Sequence, residues 1–416
     1  MEVLLDTYKD TKIGRIPQDW ELKMLVDIAS FRRGSFPQPY GLAKWYDDEN
    51  GHPFIQVYDV GKQMKLKPNT KRKISDAAAE KSVFVVKGTL ILTIQGSIGR
   101  VAITQYDAYI DRTLLIFQSF LLPTDKIFLS SQLEVLFNKE RQKANGSTIL
   151  TITKAQLSKF LIPFPPLPEQ QKIAAILSTL DEQISITDKI IEKSKELKKG
   201  LMQRFFLNKA YMIMSLGEAE KTELMPIKFK ALGKILTGTT PPTANKEYYD
   251  SEDYMFIGPA DLGKVKDVKS SKKYISVKGF DVTRKLPENA LMVVCIGATI
   301  GKIGLTSKPC ATNQQVNTIV PKEEYSARYL YYVIGGLKKY LLGFAGDTAT
   351  PQLNKTDFGK VVTFIHKSKS ERTKIAAILS EADAKIEKEQ EQKAQLEQLK
   401  KGLMQQLLTG KKRVKV

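Results

Sequence analysis

The heptapeptide KIAAILS runs from Lys172 to Ser178 and again, unchanged, from Lys374 to Ser380. A second string, LKKGLMQ, occupies Leu197 to Gln203 and Leu399 to Gln405, keeping the same offset of 202 positions. Residues 169–206 and 371–408 share 17 identities in 38 ungapped positions, far more than chance gives, so the segment is duplicated. The identities gather at its two ends while the middle diverges, so ends and middle carry different tasks.

Carried towards the N-terminus, the offset pairs LTIQGSIGRVAIT (Leu92 to Thr104) with VCIGATIGKIGLT (Val294 to Thr306), and Phe54, Ile55 and Asp59 with Phe256, Ile257 and Asp261. The whole chain is therefore two copies of one unit. Each copy has room for one globular domain followed by one long charged helix. The boundaries expected are 1–165 and 211–367 for the domains, with 166–210 and 368–416 for the helices.

In the charged segments Ile173, Leu177, Leu180, Ile184, Leu197 and Leu201 recur at sums of three and four, as do Ile375, Leu379, Ile386, Leu396, Leu399 and Leu403. That is the period of an amphipathic helix in need of a partner. Pro163, Pro165, Pro166 and Pro168 mark the start of the first helix, since proline is tolerated at a helix N-terminus and not inside it. Thirty-eight helical residues span about 57 Å, a spacer's length. Because one helix leads into the second domain and the other leaves it, an antiparallel coiled coil is the economical packing. In the globular parts, residues 82–86, 89–94, 100–104 and 113–117 have the look of short strands between glycines, while 127–143 and 327–342 have helical periodicity. The fold class expected is α+β: two repeated domains, each with a twisted, mainly antiparallel sheet, and a pair of long helices.

Sixty-five Lys and Arg against 45 Asp and Glu leave a net charge of +20, which favours a polyanionic partner. The basic residues are spread through both halves and not gathered in one tail or amphipathic helix, so nucleic acid is favoured over an acidic membrane. Two cysteines and two histidines give little material for a disulfide framework, a metal cluster or a histidine-based triad. No apolar run approaches the ~20 residues that span a bilayer, and residues 1–10 lack a signal-peptide core; a cytoplasmic protein is expected.

GATIGK (Gly297 to Lys302) is not a Walker A loop, which needs four residues between its glycines and Ser or Thr after the Lys. It reads as a glycine turn between strands, with Arg100 and Lys302 at matching positions where a cation can reach a phosphate. Trp45 and Tyr46 align with Tyr248 and Tyr249; such pairs are core anchors, or rings that stack on a base. Asn313, Gln314, Gln315 and Asn317 form an amide-rich run able to pair with adenine, or to knit a loop together.

The two-copy plan, IPFPPLPEQQKIAAIL with LKKGLMQ after it, IPQDW (Ile16 to Trp20), the IGK and NQQVN elements and the closing LLTGKKRVKV together resemble the specificity subunit of type I restriction-modification systems. The resemblance implies a DNA-binding subunit with two target-recognition domains, each reading one half of a bipartite, asymmetric double-stranded DNA site, with the helices as a ruler. It further implies two methyltransferase subunits docked on the helices, carrying S-adenosylmethionine, and motor-nuclease (restriction) subunits using ATP and Mg. This chain itself is expected to bind no cofactor and catalyse nothing; it has no adenine-methylase motif and no Walker A. A stand-alone two-domain DNA-binding regulator is the alternative. The expected DNA contacts are Arg32, Arg33, Lys44, Arg100 and Arg112 in the first domain and Lys246, Lys302, Asn313, Gln314 and Gln315 in the second. One departure stands out: HKSKSER (His366 to Arg372) replaces the proline-rich stretch before the second helix.

Overall fold

The structure, a computed structural model, describes residues 8–143, 151–207, 223–346 and 350–415. The expected junction at 210/211 lies outside the described residues. The chain divides into two compact units, Met1–Asp188 with Glu391–Val416, and Lys189–Gln390. Each of the two long helices, Leu167–Met202 and Lys369–Leu407, contributes part of its length to each unit.

The first unit carries two four-stranded sheets. One orders Ala29–Arg33, Leu114–Phe120, Leu90–Thr93 and Val101–Ile103, all antiparallel. The other orders Arg72–Ile74, His52–Ile55, Ala108–Ile110 and Val83–Val85, with one parallel pairing between His52–Ile55 and Ala108–Ile110. Leu90, Leu92 and Leu115 pack with Phe128, Leu133 and Phe137 of the helix Lys126–Lys143, and the same core takes in Ile173 and Leu177 from the first long helix and Leu407 and Leu408 from the second.

The second unit repeats this plan. Gly233–Thr237, Val316–Pro321, Leu291–Val294 and Ile303–Thr306 form an antiparallel sheet, extended by Asp267–Val268 in parallel; Tyr274–Ile275, Tyr254–Ile257 and Ala311–Thr312 form the smaller one. The helix expected over 327–342 is two helices, Ala327–Gly335 and Lys338–Phe344. Gly335 and Gly336 supply the break, since glycine is the poorest helix former after proline.

The start of the second long helix matches that of the first by different chemistry. In the first unit the Gln170 amide donates to the carbonyls of Pro165 and Pro123 and accepts from the Asp125 N–H. In the second, Arg372, 202 positions later, donates to the carbonyls of His366, Lys367 and Glu324. A guanidinium thus takes the bridging place of an amide, and HKSKSER leads into the helix without prolines.

Within each unit the helices pack side by side and antiparallel. In the first unit Lys400 reaches both carboxylate oxygens of Asp181 at 2.7 Å and Lys393 pairs with Asp188, so a heptad forward on one helix is a heptad backward on the other. In the second unit Lys198 pairs with Asp383. Asp181 and Asp383 are repeat partners, and so are Lys198 and Lys400; the duplication writes one ion pair twice. Ile173, Leu177, Ile184, Ile375, Leu379 and Ile386 are buried, and Leu180, Leu201, Leu396 and Leu403 are half-buried. Leu197 and Leu399 overturn the expectation: they are 64% and 50% exposed. Each precedes the pairing Lys198 or Lys400 by one residue, about 100° around the helix, and so points off the seam.

Candidate nucleic-acid interface

A three-residue turn follows the strand Ala108–Ile110 in the first unit and Ala311–Thr312 in the second, and its scaffold is the same in both. The N–H of Asp111 donates to the Ile55 carbonyl and that of Asn313 to Ile257. The N–H groups of Leu114 and Val316 close the turns onto the carbonyls of Asp111 and Asn313. The side-chain oxygens of Asp111 and Asn313 accept from the N–H of Thr113 and Gln315. Over each turn passes a glycine, Gly34 or Gly238, whose N–H donates to Leu114 or Val316. A Cβ there would lie 2.3 Å from the Ile110 carbonyl oxygen or 2.1 Å from that of Asn313, so only glycine allows the approach.

Upon this scaffold the side chains differ. In the first unit Asp111 is buried; the Tyr40 hydroxyl donates to it, the Gln56 amide donates to the Tyr40 hydroxyl at 2.5 Å, and the Tyr58 hydroxyl donates to the Gln56 carbonyl at 2.6 Å. Burial first, and the bond to Asp111 second, push the Tyr40 hydroxyl far above its ordinary pKa, so it stays a protonated donor. The exposed Arg112 guanidinium lies 5.3 Å from the Tyr40 ring centroid. In the second unit the Asn313 amide donates to Gln315 at 2.9 Å, and the exposed Gln314 accepts from the Thr240 hydroxyl at 2.6 Å. Asn317 is buried, bonded to Thr237 and to the Leu353 carbonyl; it knits the loop together.

The neighbouring loops bring further cations. The turn carrying Arg100 adjoins Thr113 through the Ile94 N–H, and that carrying Lys302 adjoins Gln315 through the Cys295 N–H. These turns need their glycines: Gly99 and Gly301 have φ of +81° and +82° and face Phe137 and Lys338 at 2.4 and 2.8 Å from an added Cβ. Arg100 reaches the Val60 carbonyl at 3.4 Å, while the stem of Lys302 lies beside Gly263. Arg32 and Arg33 are exposed, but as successive strand residues they face opposite sides of the sheet. Lys44 is exposed 4.4 Å from the Trp45 ring centroid, and Lys246 is exposed on the short helical turn Lys246–Tyr248. Trp45 is buried and Tyr46, Tyr248 and Tyr249 are half-buried; Trp45 Nε1 and the hydroxyls of Tyr46 and Tyr249 donate to loop carbonyls, the behaviour of anchors.

Sequence reasoning missed the basic runs after the paired aspartates. Asp59 accepts from the N–H of Gln56 and Lys71, and Asp261 from those of Gly258 and Lys272, so each aspartate staples its loop to a lysine-rich segment. Lys62, Lys65, Lys67 and Lys71 are exposed on the first, and Lys264, Lys269, Lys272 and Lys273 on the second. Lys71 stands 4.7 Å from the Tyr58 ring centroid and Arg72 3.8 Å from that of Tyr46. The signal was present: GKQMKLKPNTKRK and GKVKDVKSSKK follow the repeated aspartates in both copies.

The sequence pattern described as the type I restriction modification DNA specificity domain matches this chain twice, over residues 17–196 and 222–398. The chain belongs to that family. It is 26% identical over 302 residues to the type I restriction enzyme HindI specificity subunit of Haemophilus influenzae, covering 56% of this chain and 65% of that one. It is 24% identical to the MjaVIII specificity subunit of Methanocaldococcus jannaschii over the whole of this chain and 99% of the relative. The fold is that of the crystal structure of a type I restriction-modification S subunit from M. genitalium, with a TM-score of 0.64 at 17% identity over 94% of this chain and 96% of the other. As a specificity-subunit family member the chain falls among non-catalytic proteins. Among the described residues no helix is long and apolar enough to cross a membrane.

Proposed function

We propose that this chain is the DNA sequence-recognition subunit of a cytoplasmic type I restriction-modification complex, each unit reading one half of a bipartite, asymmetric site. The observation that carries the reading is the turn built twice on one backbone scaffold with different side chains, Asp111-Arg112-Thr113 and Asn313-Gln314-Gln315. A shared scaffold fixes where each reading head sits on its half-site, and unlike side chains make the half-sites differ. The exposed lysines after Asp59 and Asp261 suit phosphate contacts, which position a protein without reading sequence.

The long helices set the number of unread bases between half-sites, and the complex contains two methyltransferase subunits, with S-adenosylmethionine, and motor-nuclease subunits, with ATP and Mg. This chain contributes recognition and no bond-making step. The test is methylome sequencing of cells expressing the chain with its cognate methyltransferase subunit. A methylated-adenine motif of two short half-sites around a fixed gap is the expected result. Absence of new methylation from an intact, DNA-binding complex would overturn it in favour of a two-domain regulator.

A further inference from the structure

The geometry points to Arg112 and Gln314 as equivalent specificity-determining residues, Arg112 reading a guanine in one half-site and Gln314 an adenine in the other. The inference rests on the DNA-recognition reading above and deepens it.

Three observations carry it. The two residues occupy the same central position of turns whose backbone bonds match one for one, and each turn is locked by the side chain before it, Asp111 or Asn313. Both are exposed while their neighbours in the turn, Asp111 and Thr113 or Asn313 and Gln315, are half-buried or buried, so the turn presents one polar side chain outward. Each outward side chain is aimed by a neighbour: Arg112 by the Tyr40 ring, itself tied to buried Asp111, and Gln314 by the Thr240 hydroxyl. Among the described residues Arg112 makes no ion pair or hydrogen bond through its side chain, leaving its donors for a ligand.

The base assignment follows from donor and acceptor inventories. A guanidinium has donors only, and its fork matches the two acceptors O6 and N7 that guanine shows in the major groove. A carboxamide has one of each, matching the N6 donor and N7 acceptor of adenine. The Gln314 carbonyl oxygen receives Thr240 on one lone pair, which leaves the second lone pair for N6–H. Holding each group in place before binding removes ordering cost, so discrimination against the wrong base approaches the full 10- to 100-fold of a good bidentate pair.

The test uses the complex of this chain with its methyltransferase subunit. Methylomes are compared for the wild type, Arg112→Gln and Gln314→Arg. Arg112→Gln should change or relax one guanine of one half-site, Gln314→Arg one adenine of the other, and in each variant the remaining half-site and the gap should stay as in the wild type. A wild-type motif with both variants unchanged overturns the inference and leaves the recognition reading intact; no wild-type motif at all overturns the recognition reading itself. Should Arg112→Gln abolish methylation altogether, the wild-type complex decides. Replacing each guanine of the site in turn by 7-deazaguanine, which lacks the N7 acceptor, should weaken binding about 10-fold or more at one position. Equal affinity at every position would overturn the assignment.

Discussion

Asp383→Asn is the most telling single change in the scaffold. Asp383 on the second long helix accepts from the Tyr332 hydroxyl at 2.6 Å, pairs with Lys198, and lies 3.7 Å from Lys266, whose side chain is only 7% exposed. Lys198 can swing to water when the carboxylate is lost; Lys266 cannot, and an uncompensated buried charge costs about 3–5 kcal/mol. For a unit of this size that is a drop of about 6–20 °C in its unfolding midpoint. The repeat supplies the control: the residue 202 positions before Lys266 is Met64, also buried. In a Lys266→Met background the same Asp383→Asn change only makes the acceptor of Tyr332 neutral and releases the half-exposed Lys198, and should cost about 1 kcal/mol. The assay is differential scanning calorimetry of the four proteins of the cycle, read on the transition that moves, because two units need not unfold as one. Equal costs of Asp383→Asn in both backgrounds would refute the buried-charge account.

The other predictions concern thiols, acid and salt. Burial pushes the Cys295 and Cys310 thiols up to about 12, so at pH 8 neither should react with a thiol reagent until the protein unfolds, when both should; fast labelling of the native chain would contradict this. The hydrogen bond from Arg413 holds Asp19 below the usual carboxylate range, so its stabilisation is complete above about pH 4 and fades as pH falls through the lowered folded value. The gap in thermal midpoint between wild type and Arg413→Gln should therefore hold steady from pH 6 down to about pH 4 and narrow below it, and a gap that stays unchanged on further acidification would speak against the linkage. Arg100→Ala or Lys302→Ala should weaken DNA binding by the assembled complex and lower its salt slope by about one phosphate contact, and an unchanged slope would remove that residue from the interface.

Much of the fold was legible because it depends on neighbours in sequence. Helical and strand periods follow from backbone bonds over four residues or across one hairpin, so 89–94, 127–143 and the long charged helices could be read directly. The offset of 202 also carried information that composition alone did not: Asp181 with Asp383, and Lys198 with Lys400, stand among the identities because the same ion pair is made in each unit. Helix periodicity failed at Leu197 and Leu399, where apolar character and spacing agreed with a seam but the partner helix presented its face one residue along.

By itself the sequence determined the duplication, the α+β class, the long helices and a strongly basic surface. Only the tertiary structure decided which polar groups serve the scaffold and which face out: Asn317 is buried while Gln314 is exposed three residues away, and Asp111 disappears beneath Tyr40 while Arg112 remains outside. The physical reason is distance along the chain. Tyr40 meets Asp111 across 71 residues and Thr240 meets Gln314 across 74, and such pairs exist only once strands far apart in sequence have closed into one sheet.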